Sequence, residues 1–283
     1  MKINIKYRSK RIFLYVLIII ILFFTLAPFL WTIISSISTN QELLSVPIHI
    51  IPQNPTFERY KDIFTSTDTK MIAFKRGIIN SSIIASGVTI LCLVIGTFAG
   101  YAFARLDFPR KNMTLQVFLF TNMIPPIVII IAIYFIFSKL KLLDSVFSLI
   151  FLYSSFILPF IIWMMRSYFI TIPKDLEEAA MIDGCTRIGA LFRIMIPLSI
   201  PGLVANGILA FLMSWEEFLF ALILTTDKAK TITVAIAEFT GKQYVDYGMM
   251  TTGGVIGAIV PVLITLIFGR YIIKGLTAGA VKG

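Results

Sequence analysis

Charge is scarce in this chain. Asp, Glu, Lys and Arg together make up 14% of its 283 residues, where a soluble domain carries about a quarter. So little charge cannot cover a water-facing surface, which excludes a soluble globular protein. Histidine and cysteine are almost missing: His49 is the single histidine, and Cys92 and Cys185 are the two cysteines. His49 stands among prolines with no partner at metal-ligand spacing, so a solvated loop role is expected for it. Cys92 falls in an apolar run and Cys185 in a polar stretch, without a CxxC pattern, so neither a disulfide nor a metal is expected. The GxxxxGK[ST] phosphate loop, the HExxH helix and the GxSxG elbow are all lacking. No catalytic residue is expected, and no cofactor bound by this chain.

Apolar residues fill the space. They account for 58% of the chain, Phe alone for 25 positions, and the mean hydropathy is +0.90. A membrane span needs about 20 apolar residues at about 1.5 Å each. Six segments meet that length, at about 12–37, 77–104, 115–137, 146–165, 199–224 and 249–273. The expectation is an all-α polytopic membrane protein in lipid, with a short segment 1–11 followed by one transmembrane domain over 12–283. Lys2, Lys6, Arg8, Lys10 and Arg11 before the first run resemble a signal peptide, but 12–37 is longer than the roughly 7–15 residues of a signal core and no A-x-A site follows. It is expected to stay as the first span.

Lys and Arg set the orientation. With the amino terminus inside, 15 of the 25 basic residues fall on the inner side, and five of the other ten lie in or just after one long outer segment, about 38–72. Short-loop bias therefore places both termini in the cytoplasm of a cell membrane. The formal charge of +10 follows from basic inner loops beside anionic headgroups, and no nucleic acid is expected. The outer segments 38–72 and 225–248 offer a face where a delivery protein would dock.

One inner loop, 170–198, is polar and charged between two greasy segments. Ile172-Pro173 stops the helix before it, and Asp175 with Glu178 three residues on has the capping-box spacing, so a short helix is expected from Lys174. Ala179 and Ala180 leave one side slim, and Gly184 is placed to end the helix. A second short helix, Cys185 to about Met195, would present Ile188, Leu191, Phe192 and Met195 on one face before Pro197 stops it. A helix-turn-helix knob of this kind suits docking into a groove on a protein partner. The alternative is a helix lying on the inner leaflet, but Asp175, Glu177, Glu178 and Asp183 against Lys174 would be repelled there.

Those residues resemble a known signature. Glu178-Ala179-Ala180, Gly184, Ile194 and Ile196-Pro197 follow the EAA pattern of the membrane subunits of binding-protein-dependent ABC importers, with Ile196 where leucine is usual. Asn80-Ser81, Tyr101 to Arg105, Trp215-Glu216-Glu217-Phe218 and the tail Gly275 to Gly283 look like the carbohydrate branch, similar to the smaller maltose-type permease; Glu216 replaces the usual asparagine. The resemblance implies a type I ABC importer fold with a cytoplasmic EAA coupling helix. It implies a permease that pairs with a homologous second permease and with two cytoplasmic ATPases holding ATP and Mg. An extracytoplasmic sugar-binding protein would deliver an oligosaccharide or related sugar. Glu178, Ala179, Ala180, Asp183, Gly184, Arg187, Ile194 and Pro197 become the ATPase-coupling residues, with Arg193 another rim cation, and the tail after Lys274 would reach the ATPase or simply fray. The residues alone also allow a stand-alone channel or secondary carrier for a small polar solute.

Polar groups inside spans are the candidates for the pathway or a gate: Asn80, Asn206, Trp215, Glu216 and Glu217. A carboxylate at mid-helix costs about 2.5–3.5 kcal/mol, and a straight helix from Leu198 would lift Glu216 about 27 Å. The pair then lines a gate or contacts sugar hydroxyls, or it only reaches the outer interface. Gly96 and Gly100, like Gly253 and Gly257, have the GxxxG spacing that lets helices approach. Pro125-Pro126, Pro159, Pro201 and Pro261 interrupt spans, and some should line a route.

Overall fold

The structure, a computed structural model, describes residues 5–47, 49–241 and 245–278, with side chains between residues 10 and 271 of those ranges. Helices form the chain in this order: α1 (Ile5–Ile37), α2 (Asn40–Leu43), α3 (Glu58–Thr65), α4 (Thr69–Arg105), α5 (Lys111–Thr121), α6 (Pro126–Lys139), α7 (Val146–Thr171), α8 (Lys174–Ile182) and α9 (Arg187–Ala190). A π-helical turn (Leu191–Met195) and α10 (Ile196–Leu198) follow, then α11 (Ile200–Trp215), α12 (Leu219–Leu224), α13 (Ile232–Ala237) and α14 (Tyr247–Ala278). They build two compact units. One holds α1 to α3 and residues 236–258; the other holds residues 73–235 and α14 from Ile259 onward.

Among the described residues, four helices are long and apolar enough to cross a membrane unbroken: α1, α4, α7 and α14. The third expected span, 115–137, is not one rod. α5 and α6 meet at 87°, because Pro126 drives Pro125 before it into extended backbone, φ −61° and ψ 129°, out of the helical region. The fifth, 199–224, begins at a bend and is broken once. The stretch 187–198 meets α11 at 77°, and α11 stops at Trp215, with α12 resuming only at Leu219. α11 is unbroken from Ile200 to Trp215, so the expected rise holds along it, but the glutamate pair is not in mid-helix: Glu216 is the C-cap of α11 and Glu217 sits in the break before α12.

In the second unit the core gathers on α7. Leu149, Tyr153, Ile157, Ile161, Met165 and Phe169 recur every four residues on it and are all buried, one stripe of an α-helix. α4, α11 and α12 supply the facing side chains, among them Val88, Cys92, Ala210 and Ala221. Between α4 and α7 the backbones touch: a Cβ at Gly96 would lie 2.8 Å from Ile161 Cγ2, and one at Gly100 would lie 2.7 Å from Met165 Cβ and 3.0 Å from the Arg166 nitrogen. The spacing of small residues is used here as expected.

The first unit is organised around Arg59 on α3. Its Nη1 donates to the carbonyls of Ser36 (3.2 Å) and Ser38 (2.6 Å), and its Nη2 to Asn40 Oδ1 (2.8 Å). Burial lowers the pKa of this guanidinium, and nearby Asp246 opposes the shift. Thr39 and Glu42 form a capping box at α2, and Glu42 also accepts the Gln53 and Asn54 amides. The segment 38–72 thus carries two short helices that its mixed composition had hidden.

Candidate functional site

The loop after α7 folds as a knob. α8 begins at Lys174 behind Pro173, but no side chain caps it, so the expected Asp175–Glu178 box does not form; Asp175 and Glu177 instead put negative charge in the first turn, where the exposed amides favour it. Its other end is closed by the backbone. The Gly184 amide donates to Met181 O (3.1 Å) and the Cys185 amide to Ala180 O (2.9 Å), the two bonds of a Schellman cap. Gly184 makes this possible with φ +90°.

The second half of the knob differs from expectation. Thr186 caps α9 by accepting the Gly189 amide (3.1 Å), so the helix starts at Arg187, not Cys185. Leu191 and Met195 are buried, whereas Ile188 is 68% and Phe192 52% exposed; the four do not share a face. A π-helical turn runs from Leu191 to Met195. Pro197 has no N–H for the Arg193 carbonyl, and the turn before it widens. Pro197 does not stop the helix, which breaks only at Ser199.

The EAA residues divide by exposure. Glu178, Ala179, Asp183, Gly184, Arg187 and Pro197 face outward, Ile194 is half-buried and Ala180 is buried. Glu178 and Arg187 line a notch of about 100 Å³ with Arg105, Lys174, Glu177 and Met181. The buried partner of the knob is Glu177, which sequence reasoning passed over as one more loop carboxylate. Tyr101 donates its hydroxyl to Glu177 Oε1, and Arg105 Nε lies 3.0 Å from Glu177 Oε2, an ion pair out of hydrogen-bond alignment. A signal existed: Glu177 and Ala180 are three apart, so one helix face carries both.

At the other end of α4 the candidates take structural roles. Asn80 Nδ2 donates to the carbonyls of Lys228 and Lys230, both at 2.9 Å, and Ser81 Oγ accepts the Ile232 amide at 2.9 Å. Asp144, also unforeseen, accepts the amides of Thr226, Asp227, Lys228 and Ala229 at 3.0–3.3 Å. Burial raises its pKa, but the bonds from Ala229, Lys228, Thr226 and Asp227 outweigh that and bring it down to about 2. Asn206 is buried against α7, its Nδ2 bonded to Gly202 O (2.9 Å) and Met165 Sδ (3.3 Å). Trp215 is buried and stacked on Phe211 at 5.8 Å.

The two glutamates diverge. Glu216 is exposed. Glu217 turns inward and caps α12, its Oε1 accepting the Phe220 amide (2.9 Å) and Oε2 the Ala221 amide (3.2 Å). Free helix amides thus neutralise much of the cost of a carboxylate at this depth. Thr233 Oγ1 donates to the Glu217 carbonyl at 2.8 Å. Glu217 also borders a cavity of about 410 Å³ with Asn122, Pro126, Tyr153, Phe156, Phe160, Met213 and Phe220. Asn122, Glu217 and Tyr153 are the polar residues of its lining, the Tyr153 hydroxyl being buried. Asn122 and Tyr153 were missed because the α5–α6 bend and the α7 core face bring them there.

Residues 92–277 match the model of the binding-protein-dependent transport system inner membrane component family. The chain belongs to this family. It is a multi-pass membrane protein. It is 36% identical to the sulfoquinovosyl glycerol transport system permease of Agrobacterium fabrum, over 91% of this chain and 89% of the relative. It is 36% identical to the trehalose/maltose transport system permease of Thermococcus litoralis, over 97% and 98%. Its fold is similar to a chain of a bacterial ABC transporter involved in import of the acidic polysaccharide alginate, with a TM-score of 0.74, 21% identity and coverage of 93% and 97%.

Proposed function

We propose that this chain is a permease subunit of an ATP-driven importer that carries an oligosaccharide or related sugar into the cytoplasm. In this reading it pairs with a homologous permease, an extracytoplasmic binding protein delivers the sugar, and two cytoplasmic ATPases, which hold ATP and Mg, dock on α8 and α9. Both termini and the knob lie in the cytoplasm, and the chain itself catalyses no reaction. The observation that carries the reading is the knob: Glu178, Ala179 and Asp183 stand exposed on a helix closed by a positive-φ glycine, a rigid, slim, acidic-rimmed shape that suits insertion into a partner's groove. The family and the sugar-transport names of its relatives support the substrate class. The cavity at Glu217 supplies aromatic faces for sugar C–H groups, and a carboxylate and an amide for hydroxyls.

Purification of the chain from its native membranes tests this. An ATPase is expected to co-purify with the unsubstituted chain and to be lost from Glu178→Ala, with the amount of membrane-inserted chain unchanged. Recovery of the intact chain with no ATPase would favour the stand-alone carrier.

A further inference from the structure

Of the nine residues of α8, the buried ones are Glu177 and Ala180. Ala180 contributes a methyl group. Glu177 is therefore the side chain by which the helix is gripped, and its carboxylate meets the last turn of α4 at both oxygens, through Tyr101 and Arg105. The ion pair is deep: the two side chains are 5% and 6% exposed. Arg105 Nη2 also donates to the Ile172 carbonyl at the end of α7 (2.6 Å) and reaches Met195 Sδ in the π-helical turn (4.0 Å). One guanidinium thus joins α4, α7, α8 and the far half of the knob.

The covalent link alone would not hold α8 in place. Ile172 and Pro173 are extended, with ψ of 128° and 135°, so helix hydrogen bonding is interrupted between α7 and α8 and side-chain contacts must help to fix the angle between them. Breaking a buried pair strands a charge without water, whereas an exposed pair gives way easily. On the other side, α4 and α7 are packed backbone to backbone, the Gly100 contact leaving no room for even a methyl group against the Arg166 backbone.

We propose that Glu177 is a positioning residue that locks the coupling helix to the α4–α7 pair, so that force on the exposed face of α8 reaches both spans through Arg105 and Tyr101. From Arg105 the body continues along α4 to Asn80 and Ser81, which hold 228–232, and through Thr233 to the backbone of Glu217. The source of the force rests on the proposed docking of an ATPase; the lock does not.

Spin labels at Leu176→Cys on α8 and Ile95→Cys on α4, in a chain with Cys92 and Cys185 replaced by alanine, test it. Pulsed dipolar distances are measured in the complex co-expressed with its partner subunits, before and after vanadate trapping of ATP. The lock predicts one narrow distribution that trapping leaves in place, and a broadened or displaced one in Glu177→Gln while the ATPase still co-purifies. A distribution unchanged by Glu177→Gln, or one that shifts on trapping without it, overturns the proposal. Should Glu177→Gln fail to insert, Tyr101→Phe removes a single hydroxyl and is judged by the same criteria. If no ATPase co-purifies with the unsubstituted chain, the proposed function fails, and the distances in the chain alone still decide the lock.

Discussion

Two residues show how far a local rule reaches. Gly184 was legible as a helix end because glycine alone takes positive φ without strain, and the cap it makes has φ +90° with open space around it. Gly184→Ala meets no steric neighbour, so its cost is backbone strain of about 1–2 kcal/mol. Hydrogen exchange at residues 181–187 should speed up by roughly five- to thirty-fold, since about 1.4 kcal/mol is a factor of ten; an unchanged rate would mean the cap contributes nothing. Asp144 was not legible, because a lone aspartate in a connecting loop carries no sign of the four amides that meet it. Its folded pKa, about 2, lies below the ordinary 3.8, so its stabilisation is complete above about pH 4 and is lost as pH falls through about 2. Proteolysis of the 225–230 segment in detergent should accelerate over that window. Asp144→Asn should remove most of the pH dependence and leave the segment susceptible at neutral pH.

Among the elements, apolar length marked six segments; four of them carry a long unbroken helix and two are broken, and apolar length gave no sign of the breaks. Pro126 bends α5 from α6, and Pro197 widens a turn without ending its helix. GxxxG spacing correctly marked α4 as a close-packing helix, though nothing in it named α7 as the partner. Gly100→Val would force a branched side chain onto Met165 and the Arg166 backbone, an overpacking cost of about 1–3 kcal/mol. The thermal midpoint of the purified chain in detergent should fall by several degrees. Gly269→Val on α14, where nothing lies within 4 Å, should leave it unmoved.

For the molecule as a whole, α5 with α6, and α11 with α12, must each count as one crossing if basic loops are to lie on one side. Single cysteines at Lys10 and Arg270 should then react with a membrane-impermeant maleimide only in inside-out vesicles, and one at Lys141 only in right-side-out vesicles. Labelling of Lys10→Cys and Arg270→Cys from opposite sides would show an odd number of crossings and overturn the topology.

Composition and apolar run length determined by themselves that this chain lives in lipid as helices, because a bilayer satisfies no backbone hydrogen bond and leaves the helix as the means of crossing. The EAA pattern likewise located the knob, since Ala, Ala and Gly act through backbone shape. The tertiary structure alone decided which carboxylates matter and how. Glu177, Glu178, Glu216 and Glu217 look alike as letters, but a charge is defined by what surrounds it. Packing buries Glu177 on Arg105, aims Glu217 at the free amides of α12 and leaves Glu178 and Glu216 exposed.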